Sequence, residues 1–210
     1  MTIAYHPSEE QLMQFASGAV KPPFDIPLRA HVDTCVLCRK EAAMWEGVGG
    51  AMLETAVPAT MSDGAFESVL SRIELERDRP RRKAPAPRVS RLPQALQRYR
   101  PGIEFPIGPG IYKRNLWKAP RGTGRAFLLR AKPGLALPHH GHSGVEVTYV
   151  VSGGYSDEHG HYTPGDFFTA DDQLLHQPRV DDDGECTLLI ATDGLPQAPG
   201  WIGLLMRLLM

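Results

Sequence analysis

Apolar positions in the first third of the chain recur at helical spacing. Ser8, followed three residues later by Gln11 and then by Leu12, Met13 and Phe15, has the form of a capped helix that stops near Gly18. A second helical stretch is predicted from about Leu28 to Trp45, stopping at Gly47, Gly49 and Gly50. A third, after Asp63, sets Phe66, Val69, Leu70 and Ile73 on one face. Short helices of this kind suit a small antiparallel bundle. The four apolar side chains of the third are either ordinary core or a face offered to a partner's groove.

Beyond Pro101 the period changes. Ile111 to Trp117, Arg125 to Ala131, Val145 to Val151, Asp166 to Ala170 and Cys186 to Thr192 are short β-type runs separated by Gly and Pro, the pattern of a small β-barrel or sandwich. Between the halves, Arg79 to Pro93 carries four prolines among its arginines, so it can neither hold a helix nor pack an apolar face and reads as an extended linker. The expected organisation is therefore multidomain: an all-α segment at 1–80, a basic Pro-rich linker at 81–95 and an all-β segment at 96–210. The apolar tail Trp201 to Met210 is expected to be an edge element on the barrel, or else a dimer contact.

Composition narrows the class. The 19 Pro and 21 Gly in 210 residues exclude a coiled coil and agree with a punctuated, partly β architecture. The net charge of -1 argues against a nucleic-acid role for the whole, because phosphate binding needs a surplus of basic groups on the binding face. Its distribution is uneven. Nine basic residues and a single acid, Asp78, fall between Arg77 and Arg100, leaving 14 basic and 23 acidic residues elsewhere. This run is a solvated linker or an anion contact, too short and Pro-broken for a nucleic-acid element. With no secretory signal and no apolar run near the roughly 20 residues of a membrane helix, a cytoplasmic, non-membrane protein is expected. Three cysteines, two of them three residues apart, point to metal or redox chemistry and away from a disulfide scaffold.

His31, Cys35 and Cys38 form His-x3-Cys-x2-Cys. On a continuous helix, at about 100° per residue, the second lies roughly 40° round from the first and the third about 20° the other way, so all three share a face. Structural zinc takes four tetrahedral N or S ligands, which leaves one to find. His6 is the only other histidine before residue 139. Its ligation would staple the first helix to the second. A Cys35–Cys38 redox pair or three inert buried residues are the alternatives, but redox CxxC pairs usually follow a strand and open a helix, a context missing here.

In the β half, Gly134-x5-His140-x-His142-x3-Glu146-x6-Gly153 resembles the first cupin motif at every marked position. Residues two apart on an extended strand face the same side, so His140 and His142 can share one ion, His139 points away and Glu146 returns to their side. Pro164-Gly165-Asp166 and then His176 resemble the second cupin motif, with a lengthened spacer and without its usual Asn. The resemblance implies a jelly-roll barrel that completes a set of three histidines and a carboxylate: His140, His142, Glu146 and His176. Such a donor set takes a second divalent metal, zinc being the expected one, although the ligand list does not by itself select the metal. His139, His159 and His161 are expected at the surface or behind the ligands, and Cys186 as a small buried residue.

His6 with His31-x3-Cys35-x2-Cys38 also resembles the zinc-binding domain of inhibitors of extracytoplasmic-function sigma factors. Together with the C-terminal cupin this is the arrangement of the ChrR-type anti-sigma factors. The resemblance implies that the helical segment binds a sigma factor as a 1:1 heterodimer and blocks its contact with core RNA polymerase. It also implies that the cupin is dispensable for inhibition but needed for release by singlet oxygen or a related oxidant. No catalytic residue and no nucleic-acid partner are implied. The rival readings are a cupin dioxygenase or isomerase with a zinc adaptor, and a DNA-binding protein resting only on the Arg77 to Arg100 run.

Overall fold

The structure, a computed structural model, describes residues 2–78, 96, 99, 102–122, 124–198 and 200. The Arg79 to Pro93 linker and the Trp201 to Met210 tail expected above lie outside the described residues. Among the described residues four helices precede the strands: α1 (Glu9–Ala16), α2 (Asp25–Thr34), α3 (Val36–Glu54) and α4 (Ala65–Asp78). In α1 the cap forms as the sequence predicts, with Ser8 Oγ accepting from Gln11 N at 3.2 Å and Gln11 Oε1 accepting from Ser8 N at 2.9 Å.

The stretch expected as one helix from Leu28 to Trp45 is two. Cys35 leaves helical space at φ −91°, ψ 114°, between α2 and α3. Thr34 favours the break, because its hydroxyl donates to the carbonyls of Ala30 and His31 at 3.0 Å and so satisfies groups at the end of α2. The expected stop at Gly47 does not occur either, and α3 continues to Glu54. Gly47, Gly49 and Gly50 keep negative φ there. Each costs about 1 kcal/mol relative to Ala but does not forbid helix.

Among the described residues eleven strands follow. They are β1 (Phe105–Gly108), β2 (Ile111–Lys118), β3 (Arg125–Ala131), β4 (Gly141–His142), β5 (Glu146–Ser152), β6 (Tyr155–Asp157), β7 (Gly160–Tyr162), β8 (Phe167–Ala170), β9 (Arg179–Val180), β10 (Cys186–Thr192) and β11 (Pro196–Gln197). The five runs read from the sequence are β2, β3, β5, β8 and β10. All pairings are antiparallel, in a six-stranded sheet ordered β1-β2-β3-β10-β5-β8, a three-stranded sheet β7-β6-β9 and the pair β11-β4.

Alternation along the central strands sorts side chains onto two faces of the large sheet. Phe127, Leu129 and Ile190 form one buried cluster. Their strand neighbours Ala126, Leu128, Leu189 and Ala191, with Tyr149, pack against Ile26 and Ala30 of α2. Beside them Val147 and Phe167 pack with Leu12, Leu28, Val32 and Cys38. The first helices thus cover one face of the barrel sheet, and the described residues of 1–48 and 92–210 form one compact unit. Residues 49–91 form a second unit, which holds the C-terminal end of α3 and all of α4. Within it Phe66 (67%), Val69 (48%), Leu70 (44%) and Ile73 (58%) stand exposed, so they are not core of the described unit.

Gly153 ends the first cupin-like motif at φ +73° in the turn between β5 and β6. A Cβ there would overlap the Glu185 carbonyl oxygen and stand 2.8 Å from Cys186 Cα, both backbone atoms of a packed strand region. We expect Gly153→Ala to lower stability by about 2 kcal/mol or more, combining left-handed strain with the overlap. A urea titration of mutant and wild type measures it.

Candidate metal centres

Among the described residues two groups of metal-competent side chains converge, each within 4.8 Å, and both lie in the unit of residues 1–48 and 92–210. The first joins His6, His31, Cys35 and Cys38. His31 leaves the last turn of α2, Cys35 is the break itself and Cys38 lies in the first turn of α3. The shared face expected of a continuous helix is thus made by two helices meeting at Cys35. His31 Nε2 lies 3.3 Å from Cys38 Sγ, and His6 Nδ1 lies 3.5 Å from Cys35 Sγ and 3.4 Å from Cys38 Sγ. Tetrahedral zinc with bonds of about 2.0–2.3 Å sets its ligand atoms roughly 3.3–3.8 Å apart, so the donor set fits such an ion.

The tautomer is fixed from behind. His31 Nδ1 is 2.8 Å from the Gly165 carbonyl oxygen, which can only accept, so the proton sits on Nδ1 and Nε2 presents a lone pair to the thiols. His31 is fully buried, and burial drives its pKa down to about 4 against the Gly165 hydrogen bond, keeping the ring neutral. Burial, then Cys35, pushes the Cys38 thiol up to about 12. A cation is what turns such a thiol into a thiolate at neutral pH, with release of its proton.

The second group is His140, His142 and His176. His140 and His176 are backbone partners, each N–H donating to the other's carbonyl at 3.0 Å, which brings the two segments together. Two rings are anchored through Nδ1, His140 to the Pro138 carbonyl at 2.8 Å and His176 to Asp157 Oδ2 at 3.0 Å, while His142 Nδ1 lies 3.5 Å from Glu146 Oε2. The Nε2 atoms of His142 and His176 lie 3.3 Å apart, that of His176 with its lone pair forward. Three buried imidazoles whose ring nitrogens converge within 4.8 Å are a donor set that fits a divalent metal.

Glu146 stands outside the convergent group, on the far ring nitrogen of His142. Burial raises its pKa to about 7, opposed by Arg125. Asp157, whose side chain is completely buried against His176, was not a candidate from sequence. Nothing in Tyr155-Ser-Asp-Glu-His159 marks it among neighbouring acids. His139 faces Glu158 at 3.8 Å and His161 bonds Asp181 at 2.8 Å, both at the surface, and His159 is exposed. Cys186 is buried, and burial lifts its thiol to about 12.

A pH dependence of stability follows for metal-free protein. Burial holds His31, His140 and His142 near pKa 4 against the usual 6.5, so the unfolded chain binds more protons between these values. Their contribution is complete above about pH 6.5 and is lost as pH falls towards 4. Glu146 acts oppositely, since its folded pKa of about 7 exceeds the usual 4.5. Three groups outweigh one, so the thermal midpoint of chelator-treated protein should fall steadily from pH 6.5 to 4.5. A flat profile would contradict the burial of these rings.

The chain is similar to known proteins over most of its length. The ChrR cupin-like domain family matches residues 102–195. The anti-sigma-E factor ChrR of Cereibacter sphaeroides is 33% identical over 199 residues, which are 92% of this chain and 91% of that protein. A crystal structure of Rhodobacter sphaeroides SigE in complex with the anti-sigma ChrR matches with a TM-score of 0.73 and 31% identity, covering 91% of this chain and 100% of the matched one. With relatedness over nine-tenths of its length, four N-terminal helices and a cupin-like barrel, the chain belongs to the ChrR family of anti-sigma factors.

Proposed function

We propose that this chain acts in the cytoplasm as a non-catalytic inhibitor that binds an extracytoplasmic-function sigma factor one to one and keeps it from core RNA polymerase. The observation that carries the reading is the group His6, His31, Cys35 and Cys38 at the junction of α2 and α3, in a chain related over its length to a protein named as an anti-sigma factor. Zinc in this site would supply a structural cross-link between the segment before α1 and the α2–α3 junction. The exposed face of α4, with Phe66, Val69, Leu70 and Ile73, has the i, i+3, i+4, i+7 spacing of a helix that enters an apolar groove, and residues 1–80 are proposed as the inhibitory segment.

The barrel is proposed as the responsive part. His140, His142 and His176, with Glu146 behind His142, would hold a second divalent ion. Imidazole rings react with singlet oxygen, so an oxidised ring at one of these ligands, larger and differently shaped than the intact imidazole, would shift the barrel and weaken the sigma-bound state, which an empty site alone does not. Release requires only that the altered protein bind sigma less tightly than the intact one. Among the described residues no helix is long and apolar enough to cross a membrane.

The test is affinity capture from the native host with zinc-loaded full-length chain as bait. Recovery of one sigma factor, abolished by a zinc chelator and reduced after illumination with a photosensitiser, is the expected result. Capture of none with folded bait would overturn it. The metalloenzyme reading has one observation in its favour, the three-imidazole group, which leaves coordination positions for a substrate. Aerobic turnover by iron-loaded protein, with no sigma captured, would establish that reading instead.

A further inference from the structure

One turn of the barrel touches the backing of both ends of the first metal group. The Gly165 carbonyl accepts His31 Nδ1–H at 2.8 Å. Its neighbour Asp166, 1% exposed, accepts from the N–H groups of Ala4 at 2.7 Å and Tyr5 at 3.0 Å, directly before His6. The other carboxylate oxygen accepts from Thr163 N at 2.7 Å and Thr163 Oγ1 at 3.0 Å. Phe167 N then donates to Tyr5 O at 3.1 Å, so residues 4 and 5 are strapped along the start of β8. At φ +100°, a Cβ on Gly165 would press into the Ile3 side chain.

The same turn is continuous with the second metal group. Val150 N donates to Asp166 O and Gly165 N to Val150 O, which joins the turn to β5, the strand that starts at Glu146. Tyr5 packs on Tyr162 with ring centroids 4.6 Å apart, and Tyr162 stacks on Tyr155 at 4.7 Å. Tyr155 opens β6, and β6 ends at Asp157, which anchors His176. Two of the four donors of the first group are thus held by a barrel turn that is packed, through two tyrosines and one short strand, against the anchor of a donor in the second.

We propose that Asp166, with the Gly165 carbonyl, is a positioning joint that holds His6 and His31 for metal and makes the lability of that metal depend on whether the barrel's histidine group is occupied. This rests on the inhibitor reading above, because it specifies how a change in the barrel reaches the sigma-binding half. The carboxylate is suited to the task. It accepts four hydrogen bonds with both oxygens while buried, so the N-terminal strap has one register on the barrel. A positioning role of this kind alters metal hold by about 10–100-fold.

Cobalt substitution tests it in the full-length chain. A thiolate-to-cobalt absorption band reports only the first group, since His140, His142 and His176 include no sulfur. The probe is the decay of that band after addition of EDTA. Asp166→Ala should lose cobalt at least about tenfold faster than wild type, and Asp166→Asn, which keeps one acceptor oxygen, should fall between. Leu129→Ala truncates the barrel core away from the strap, and its decay should match wild type although its melting temperature drops. His140→Ala/His142→Ala should speed the decay by about fivefold, and that effect should vanish in the Asp166→Ala background.

Equal decay in wild type, Asp166→Ala and Asp166→Asn would overturn the joint, as would equal acceleration by Leu129→Ala. Persistence of the barrel effect without Asp166 would overturn the coupling. None of these results touches sigma capture by wild-type protein, so the inhibitor reading fails or stands separately.

Discussion

Replacing Cys38 by Ser should abolish metal retention in the first group and, with it, binding to the sigma factor. Cys38 Sγ is the donor closest to both imidazoles, 3.3 Å from His31 Nε2 and 3.4 Å from His6 Nδ1. A serine hydroxyl remains protonated at neutral pH and is a poor zinc ligand. Loss of a ligand should exceed the roughly 10–100-fold that removal of an outer partner costs, so affinity should fall by more than about a hundredfold. Without the ion, three partly opposed donors stay clustered around a buried His31, and the segment before α1 is no longer tied to the α2–α3 junction. Competition with a chromogenic chelator measures the first effect and co-purification with sigma the second. Retained sigma binding by metal-free Cys38→Ser would mean that the cluster is incidental to inhibition.

His140→Ala/His142→Ala is expected to have the second-largest effect, and of a different kind. The pair removes two of the three convergent imidazoles, so the barrel should no longer hold a divalent ion at micromolar concentration, while the cobalt–thiolate signal of the first group remains present. Sigma binding before any oxidant should survive, because neither histidine belongs to the first group or to α4. Release by singlet oxygen should be lost. Loss of sigma binding instead, with the barrel still folded, would place these histidines in the inhibitory half and contradict the proposed division of labour.

How far these sites were readable from sequence differs with the kind of interaction. The strands β2, β3, β5, β8 and β10 were legible because each is a short β-type run set off by Gly or Pro. The cap of α1 was legible because Ser8 and Gln11 act within one turn. His-x3-Cys-x2-Cys and the His140, His142 pair carry their chemistry in local spacing. The helix break at Cys35 was not legible, since periodicity there reads straight through, and it depends on how Thr34 uses its hydroxyl. Asp157 and Asp166 were hidden for a related reason. Their roles arise from partners 19 and about 160 residues away, and one-dimensional spacing holds no trace of such pairings.

The same limit explains the organisation. Composition divides the chain at the basic linker, into 1–80, 81–95 and 96–210. Packing follows apolar faces instead, and Ile26, Leu28, Ala30 and Val32 of α2 find their complement on the barrel sheet. Either half shows its own apolar stripe in the sequence, but the match between the stripes is a property of three dimensions.

The most direct test of the account is the affinity of the zinc-loaded full-length chain for its captured sigma factor, titrated by calorimetry with and without prior removal of metal from the first group. The account predicts tight one-to-one binding that falls by at least about a hundredfold on metal removal and returns when zinc is restored. Equal affinity before and after removal, in protein shown to be folded, would contradict it.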